Sequence, residues 1–377
     1  MASGRMALIL GGGGARAAYQ VGVLRAVRDL LGDCSRSPFQ ILCGTSAGAV
    51  NAATLACHAH NFRDAVDAME DVWRNMRAGQ IYRADPIGIG LAMANWLSAF
   101  LLGWAFRRSP RSLLDNRPLR RLLEQKLHFH NIERSLAKGT LYAVSITASG
   151  YATGDGVSFF EAHPEVQSWR RTQRIGCRTQ LSVDHLLASS AIPFIFPAVH
   201  LHREYFGDGS MRQLAPISPA IHLGADKIMV IGVGKINEVS QRQSSRAYPS
   251  LAQIAGHALS SIFLDSLAVD IERMERINRT LARLPDALRE SGEIGLRPIE
   301  SLIIAPSESL DQLAARHARA LPWAVRLLLR GLGAMNRRGG ALTSYLLFEK
   351  SYTGALIDLG YGDTMARQED VKAFLDA

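Results

Sequence analysis

Two short apolar runs constrain this chain more than any other feature, because each meets a glycine-rich turn and then a stretch suited to helix. Met6-Ala-Leu-Ile-Leu10 reads as a buried strand. Gly11 to Gly14 follow, after which Tyr19, Val23, Leu24, Val27 and Leu31 recur at helical spacing. Phe39 to Cys43 is the second run, Gly44-Thr-Ser-Ala-Gly48 its turn, and Ala49 to His60 a stretch without proline or glycine. Two such units predict an α/β chain with a parallel sheet. Further strands are expected at Leu141–Ile146, Val157–Phe160, Glu204–Phe206, Lys227–Val233 and Ser301–Ala305. A short helix is expected at Asp184–Ser190, stopped before Pro193, and a long one at Ile254–Ile277. Lys235–Ser250 reads as an exposed polar loop, and the tail after about residue 306 as helical. No internal repeat is present.

Composition narrows the function classes. Of 377 residues, 47% are apolar and 20% charged, enough to bury a core and exclude global disorder. The net charge of +9 favours nucleic acid or anionic lipid as a partner. The basic residues are spread out, with no aromatic–basic interleaving, which argues against nucleic acid. Cys34, Cys43, Cys57 and Cys177 are too few and too scattered for a disulfide framework, and no CxxC pair suggests zinc. No histidine or carboxylate set has metal-ligand spacing, so no metal is expected. The apolar stretch after Arg5 is only Met6 to Leu10, too short for a signal peptide, so the expected address is cytoplasmic.

Ile87 to Phe106 is twenty residues without a charge, holding Trp96 and Trp104 and followed by Arg107-Arg108. It reads equally as a core helix pair, a cap over a pocket or an element dipping into one leaflet. A full span is disfavoured, since it would put strands of one sheet on opposite sides of a membrane. Arg319 to Arg330 mixes Trp323, Val325, Leu327, Leu328 and Leu329 with Arg326. Such a helix can lie on anionic lipid or dock on the sheet with its arginines in water.

Gly12-Gly-Gly14-Ala-Arg16 lies where a strand gives way to a helix. Glycines let backbone N–H groups approach an anion, and the helix start adds its dipole. Gly12-x-Gly14-x-x-Ala17 fits a dinucleotide fingerprint loosely, with Asp33 some twenty residues on, but Asp33 sits at a turn instead of a strand end. Dinucleotide site, oxyanion site and tight structural turn all stay open on this segment alone. Gly44-Thr-Ser46-Ala-Gly48 fits Gly-x-Ser-x-Gly between strand and helix, the turn that lifts a serine nucleophile above a sheet. The competing reading is an N-capping serine. A serine nucleophile needs a base. His257 and His317 sit in helix-like surroundings and suit that role poorly, whereas Asp208, between Gly207 and Gly209 after Tyr205-Phe206, suits a loop carboxylate at a strand end. An ordinary Asp-Gly turn is the alternative.

Together these segments resemble the patatin-like phospholipase family. Gly12-Gly13-Gly14-Ala15-Arg16 is similar to its oxyanion motif, Gly44-Thr45-Ser46-Ala47-Gly48 to its nucleophile elbow, and Asp208-Gly209 to its general-base motif. Ala188-Ser-Ser-Ala-Ile-Pro193 resembles the run that usually precedes the base. The resemblance covers residues 5–235 and returns at Glu349–Asp363. It implies a three-layer α/β/α fold with a mostly parallel sheet. Residues 5–305 would form the catalytic domain, and 306–377 a helical C-terminal extension packed on it. It implies a Ser46–Asp208 dyad, an oxyanion hole from Gly12, Gly13 and Gly14, and support from Arg16, Gly44, Gly48 and Gly209. It departs from the family at Ala17 and at Ser210, whose hydroxyl is expected to lower the carboxylate's pKa. The implied activity is acyl-ester hydrolysis of phospholipid or lysophospholipid, without metal or cofactor, at an anionic membrane surface and peripheral to it. A homo-oligomer stays open. Rival readings are a neutral-lipid esterase or thioesterase, a membrane-surface scaffold without turnover, and a nucleotide-binding oxidoreductase.

Overall fold

The computed structural model describes residues 4–86, 112–234, 266–285, 295–331 and 340–376, with 88, 90 and 94. The uncharged run 87–106, the polar loop 235–250 and the expected helix start at 254–265 lie outside these, apart from residues 88, 90 and 94. The elements begin with β1 (Met6–Leu10), α1 (Ala18–Leu30), β2 (Ile41–Thr45), α2 (Ala47–Cys57), α3 (Phe62–Arg74) and α4 (Ala78–Ile81). They continue with α5 (Arg117–Lys126), α6 (His130–Ala137), β3 (Ala143–Gly150), β4 (Gly156–Ala162), β5 (Trp169–Arg171), β6 (Arg174–Arg178) and α7 (Val183–Ser189). Next come β7 (Val199–Leu201), β8 (Glu204–Asp208), α8 (Ser218–His222), β9 (Lys227–Ile231), α9 (Ser266–Leu281) and β10 (Glu300–Ile304). The tail holds α10 (Leu310–His317), α11 (Trp323–Gly331), α12 (Gly340–Leu346), α13 (Lys350–Met365) and α14 (Gln368–Asp376).

All five residues of β1 are buried, and their alternation explains the layering. Successive side chains of a strand point to opposite faces. Leu8 and Leu10 pack with α1, α2, α3 and the tail, whereas Ala7 and Ile9 pack with Ala220 of α8 and Ile271 and Met274 of α9. Strand β9 divides the same way, with Met229 and Ile231 on the first face and Ile228 and Val230 on the second. The result is an α/β/α sandwich. The sheet runs β10-β9-β1-β2-β3-β4-β6-β5. From β10 to β3 every pairing is parallel, and β4 turns antiparallel.

Strand β3 is longer than its apolar run suggests, and its extra length builds the site. Along one edge of β3, β2 pairs up to Thr45 opposite Thr147. The next position on that edge, Ala148, belongs to Asp208 of β8, which arrives antiparallel. The C-terminal ends of β2 and β8 therefore meet head-on against one strand, and Ser46 follows directly from Thr45.

The tail packs on the same core. Tyr352, Leu356 and Ile357 of α13 are fully buried. A side chain on Gly22 of α1 would place its Cβ 2.0 Å from the Ile357 carbonyl oxygen, and one on Gly360 would lie 2.2 Å from that of Tyr19. The two helix backbones touch. Helix α11 buries Ala324, Val325 and Leu329, while Trp323 (60% exposed) and Leu327 (63%) face outward. Among the described residues, no helix is long and apolar enough to cross a membrane. Arg83 N–H donates to the Asp115 carbonyl at 2.9 Å, so the chain leaves and re-enters the fold on either side of 87–106 at one place.

Candidate active site

Ser46 occupies the N-cap of α2 with φ 54° and ψ −129°. A positive φ is costly for a residue with a Cβ, and such strain is expected where a strand turns sharply into a helix to present a hydroxyl. Three hydrogen bonds hold the turn against it. Ser46 N–H donates to Ser189 Oγ at 2.8 Å, and Ser189 Oγ donates to the Thr147 carbonyl at 2.6 Å. Ser46 Oγ donates to Asp208 Oδ2 at 2.6 Å. Close packing at Gly48 sets the elbow against the glycine loop, since a Cβ there would lie 2.2 Å from the Leu10 carbonyl oxygen and 2.6 Å from that of Gly11.

Asp208 is completely buried. Its other oxygen, Oδ1, accepts from the Ser210 N–H at 2.9 Å, and its own N–H donates to the Ala191 carbonyl at 2.9 Å. Burial pushes its pKa up to about 6, with the Ser46 hydroxyl and the Ser210 N–H and hydroxyl pulling the other way. The lowering expected of Ser210 is therefore present but outweighed by desolvation. A carboxylate poised near 6 is ionised at neutral pH and still basic enough to accept a proton. No described histidine hydrogen-bonds either side chain, and His317 instead lies against Tyr352.

The glycine loop turns from β1 into a single 3-10 turn, Gly14–Ala17, before α1. Gly14 has φ +55°, and a Cβ there would lie 2.2 Å from the Tyr345 carbonyl oxygen of α12. Arg16 is buried and reaches the same tail. Its Nε donates to Ser344 Oγ at 2.8 Å, its Nη2 bonds Asp311 of α10, and its guanidinium lies 4.1 Å over the Tyr345 ring. The arginine ties the loop to α10 and α12. Gly12 and Gly13 lie on this loop; Gly44, the penultimate residue of β2, and Gly209, directly after Asp208, flank the pair.

A cavity of about 270 Å³ opens from Ser46 and Gly14. One face of α2 lines it, through Ala47, Val50, Asn51, Thr54 and His58. At 1.5 Å rise per residue, that face runs about 18 Å from Ser46 to His58. Met69, Trp73, Leu119, Leu123 and Phe348 make the opposite walls apolar. Lys126 and Asp71, both exposed, also line it. Among the described residues, no cluster of three histidines, cysteines or carboxylates could hold a metal ion.

The site has a partner that sequence reasoning did not single out. Ser189 was legible only as part of Ala188–Pro193, and its bond to Ser46 spans 143 positions of sequence.

Three solved structures show limited likeness. VipD from Legionella pneumophila aligns over 97% of this chain and 67% of its own at 12% identity and TM-score 0.35. Human GIVD cytosolic phospholipase A2, in complex with methyl gamma-linolenyl fluorophosphonate, aligns over 99% and 60% at 12% identity and TM-score 0.42. The Pseudomonas aeruginosa complex of SpcU with ExoU, from the type III secretion system, aligns over 90% and 70% at 15% identity and TM-score 0.27. The chain thus spans between 60% and 70% of the length of these chains. No curated protein matches the sequence. The family model of the patatin-like phospholipases matches residues 8–221, more than half of the chain and all three glycine-flanked segments. The chain therefore belongs to the patatin-like phospholipase family, whose members are lipid hydrolases.

Proposed function

We propose that this protein is a serine acyl hydrolase of phospholipids or lysophospholipids, acting through a Ser46–Asp208 dyad. The observation that carries the reading is the 2.6 Å bond from Ser46 Oγ to Asp208 Oδ2, at the mouth of an apolar cavity beside the glycine loop. Ser46 Oγ attacks the ester carbonyl carbon while its proton passes to Asp208 Oδ2. The carbonyl electrons move onto oxygen, where backbone N–H groups of Gly12, Gly13 and Gly14 and the N-terminus of α2 receive the charge. Each such donor lowers the barrier by about 3–4 kcal/mol. As the intermediate collapses, the leaving alcohol takes the proton from Asp208 and the acyl group stays on Ser46. Water then gives a proton to Asp208 and attacks the acyl-enzyme. As the second tetrahedral intermediate collapses, Asp208 returns that proton to the departing Ser46 Oγ and the fatty acid leaves.

The cavity supports a fatty acyl group lying along α2. The glycine loop is held by Arg16, Ser344 and Asp311, which makes the helical extension 306–377 a support for the catalytic unit 5–305. Turnover of phospholipid and lysophospholipid by wild type, and its loss in Ser46→Ala, tests the hydrolase reading against a scaffold without turnover. Thr54 stands eight residues along α2 from Ser46, about 12 Å down the trough. Thr54→Trp is expected to lower kcat/KM for a sixteen-carbon ester at least about tenfold relative to a four-carbon ester. An unchanged ratio would place the acyl chain elsewhere.

We also propose that the protein works at an anionic membrane surface, as a peripheral protein with a cytoplasmic address. Trp323 and Leu327 stand one turn apart on the outer side of α11. No acidic residue occurs between Asp311 and Glu349, a stretch holding six arginines. Aromatic, aliphatic and basic groups together suit the interface of an anionic bilayer. Replacing both Trp323 and Leu327 with alanine is expected to weaken binding to anionic phospholipid vesicles about tenfold. Hydrolysis of a short water-soluble ester should fall far less. Equal losses would contradict the surface assignment.

A further inference from the structure

Beneath the glycine loop, buried side chains form a continuous line from the cavity wall to the loop's first carbonyl. Trp73 Nε1–H donates to Asn51 Oδ1 at 2.9 Å. Asn51 Nδ2 donates to Gln20 Oε1 at 2.9 Å and to the Ala17 carbonyl at 3.2 Å. Gln20 Nε2 then donates to the Gly11 carbonyl at 2.8 Å. All three side chains are buried, and Trp73 and Asn51 also line the cavity.

The direction of this line is dictated by its first member. An indole N–H can only donate, so Asn51 must turn its oxygen toward Trp73 and its NH2 toward Gln20. Gln20 must then present its oxygen to Asn51 and its NH2 to Gly11. Flipping either amide would set donor against donor or acceptor against acceptor among buried side chains. The two amides grip the loop at both ends, at Gly11 and at Ala17. The Gly11–Gly12 peptide is planar and trans, so a carbonyl held toward Gln20 sends the Gly12 N–H to the opposite side. Glycine peptides rotate at little steric cost, so sequence alone leaves this orientation free.

We propose that Gln20 and Asn51 are positioning residues, oriented by Trp73, that fix the direction of the glycine-loop N–H groups toward the oxyanion formed at Ser46. The proposal rests on the Ser46–Asp208 reading. It assigns work to three side chains that do not touch the reacting atoms.

The test compares wild type with Gln20→Met and Trp73→Phe. Active sites are counted by titration with a fluorophosphonate, and kcat and KM are measured on a short soluble ester. Affinity is also measured for a trifluoromethyl ketone, which forms an anionic hemiketal with the serine. Removing an oxyanion donor outright costs about 10²–10³ in kcat; mis-aiming donors should cost less. Gln20→Met is expected to lower kcat per titrated site about 10–100-fold and Trp73→Phe about 3–10-fold, with KM nearly unchanged. Ketone affinity should fall by the same factor as kcat in each variant. A role in folding alone would lower the number of titratable sites and leave kcat per site intact. Per-site kcat and ketone affinity within about twofold of wild type would overturn the proposal, as would a fall in kcat with ketone affinity retained. Trp73→Phe decides the matter should Gln20→Met not fold. Absence of Ser46-dependent turnover in wild type would overturn the dyad reading itself, whereas normal wild-type turnover with unaffected variants would overturn the positioning role alone.

Discussion

Asp208→Asn is expected to lower turnover about 10³-fold or more while making the folded protein more stable at pH 8. The loss of activity follows from the loss of a base, since general-base catalysis is worth about 10²–10⁴-fold and the amide cannot accept the Ser46 proton. The gain in stability follows from burial. The folded carboxyl titrates at about 6, above its ordinary 3.8. A raised pKa means that the folded state holds the proton more tightly than the unfolded chain. The stability linked to that proton is fully present below about 3.8 and is lost as pH rises through 6. Two pKa units correspond to about 3 kcal/mol. The isosteric amide carries no charge to desolvate, can accept from the Ser210 N–H and can donate to Ser46 Oγ. Denaturant unfolding of the two proteins at pH 8 and pH 4 should show the variant's advantage at the higher pH and its decline at the lower. For wild type, kcat/KM should rise with pH through about 6 as the base ionises. Full activity in the variant would remove Asp208 from the base role.

Gly48→Ala should be nearly as damaging by a purely steric route. The added Cβ would fall 2.2 Å from the Leu10 oxygen and 2.6 Å from both the Leu10 carbon and the Gly11 oxygen. All three are backbone atoms of β1 and the glycine loop, so no side chain can swing aside. Either α2 lifts from the sheet, carrying Ser46 away from the loop, or the end of β1 gives way. Overpacking of this kind costs about 3 kcal/mol, and misplacing the nucleophile by about 1 Å costs about 10²-fold in rate. Denaturant midpoint and kcat/KM measured together should both fall. A variant with wild-type activity and stability would mean that elbow and loop are not in contact.

The parts of the fold that could be read from sequence share one property: their signal is local. Met6–Leu10 and the glycines after it declare a strand and a turn within nine residues, and Gly44–Gly48 does the same. Other boundaries moved because pairing overrode composition. Strand β2 runs to Thr45 instead of ending at Cys43, since Gly44 and Thr45 pair with Ile146 and Thr147. Strand β3 runs through Thr147-Ala-Ser-Gly150, a small and polar stretch that would not read as strand without β4 and β8 beside it. The β5–β6 hairpin stayed hidden because Trp169-Arg-Arg is a basic three-residue edge strand and Arg174–Arg178, paired between it and β4, is short, half-exposed and has an arginine at each end. Helix α9 ends at Leu281, four residues beyond the expected stop. In the site, Ser46, Asp208 and the glycine loop carried short motifs. Ser189 was legible only within the run Ala188–Pro193, and Gln20, Asn51 and Trp73 carried no motif, because their roles lie in contacts between separate elements. Of the two readings of Arg319–Arg330, packing is the one the fold shows, since α11 buries Ala324, Val325 and Leu329 in the core, while Trp323 and Leu327 face outward.

The central claim is that Ser46 carries the acyl group during turnover. Rapid acid quenching of the wild-type enzyme with a p-nitrophenyl fatty-acyl ester, followed by peptide mass spectrometry, tests it directly. A good leaving group makes acylation fast, so the intermediate should accumulate. The expected result is the acyl mass on the peptide containing Ser46, localised to that serine and absent in Ser46→Ala. Steady turnover with the acyl group on another residue, or with no covalent adduct at any quench time, would contradict the account.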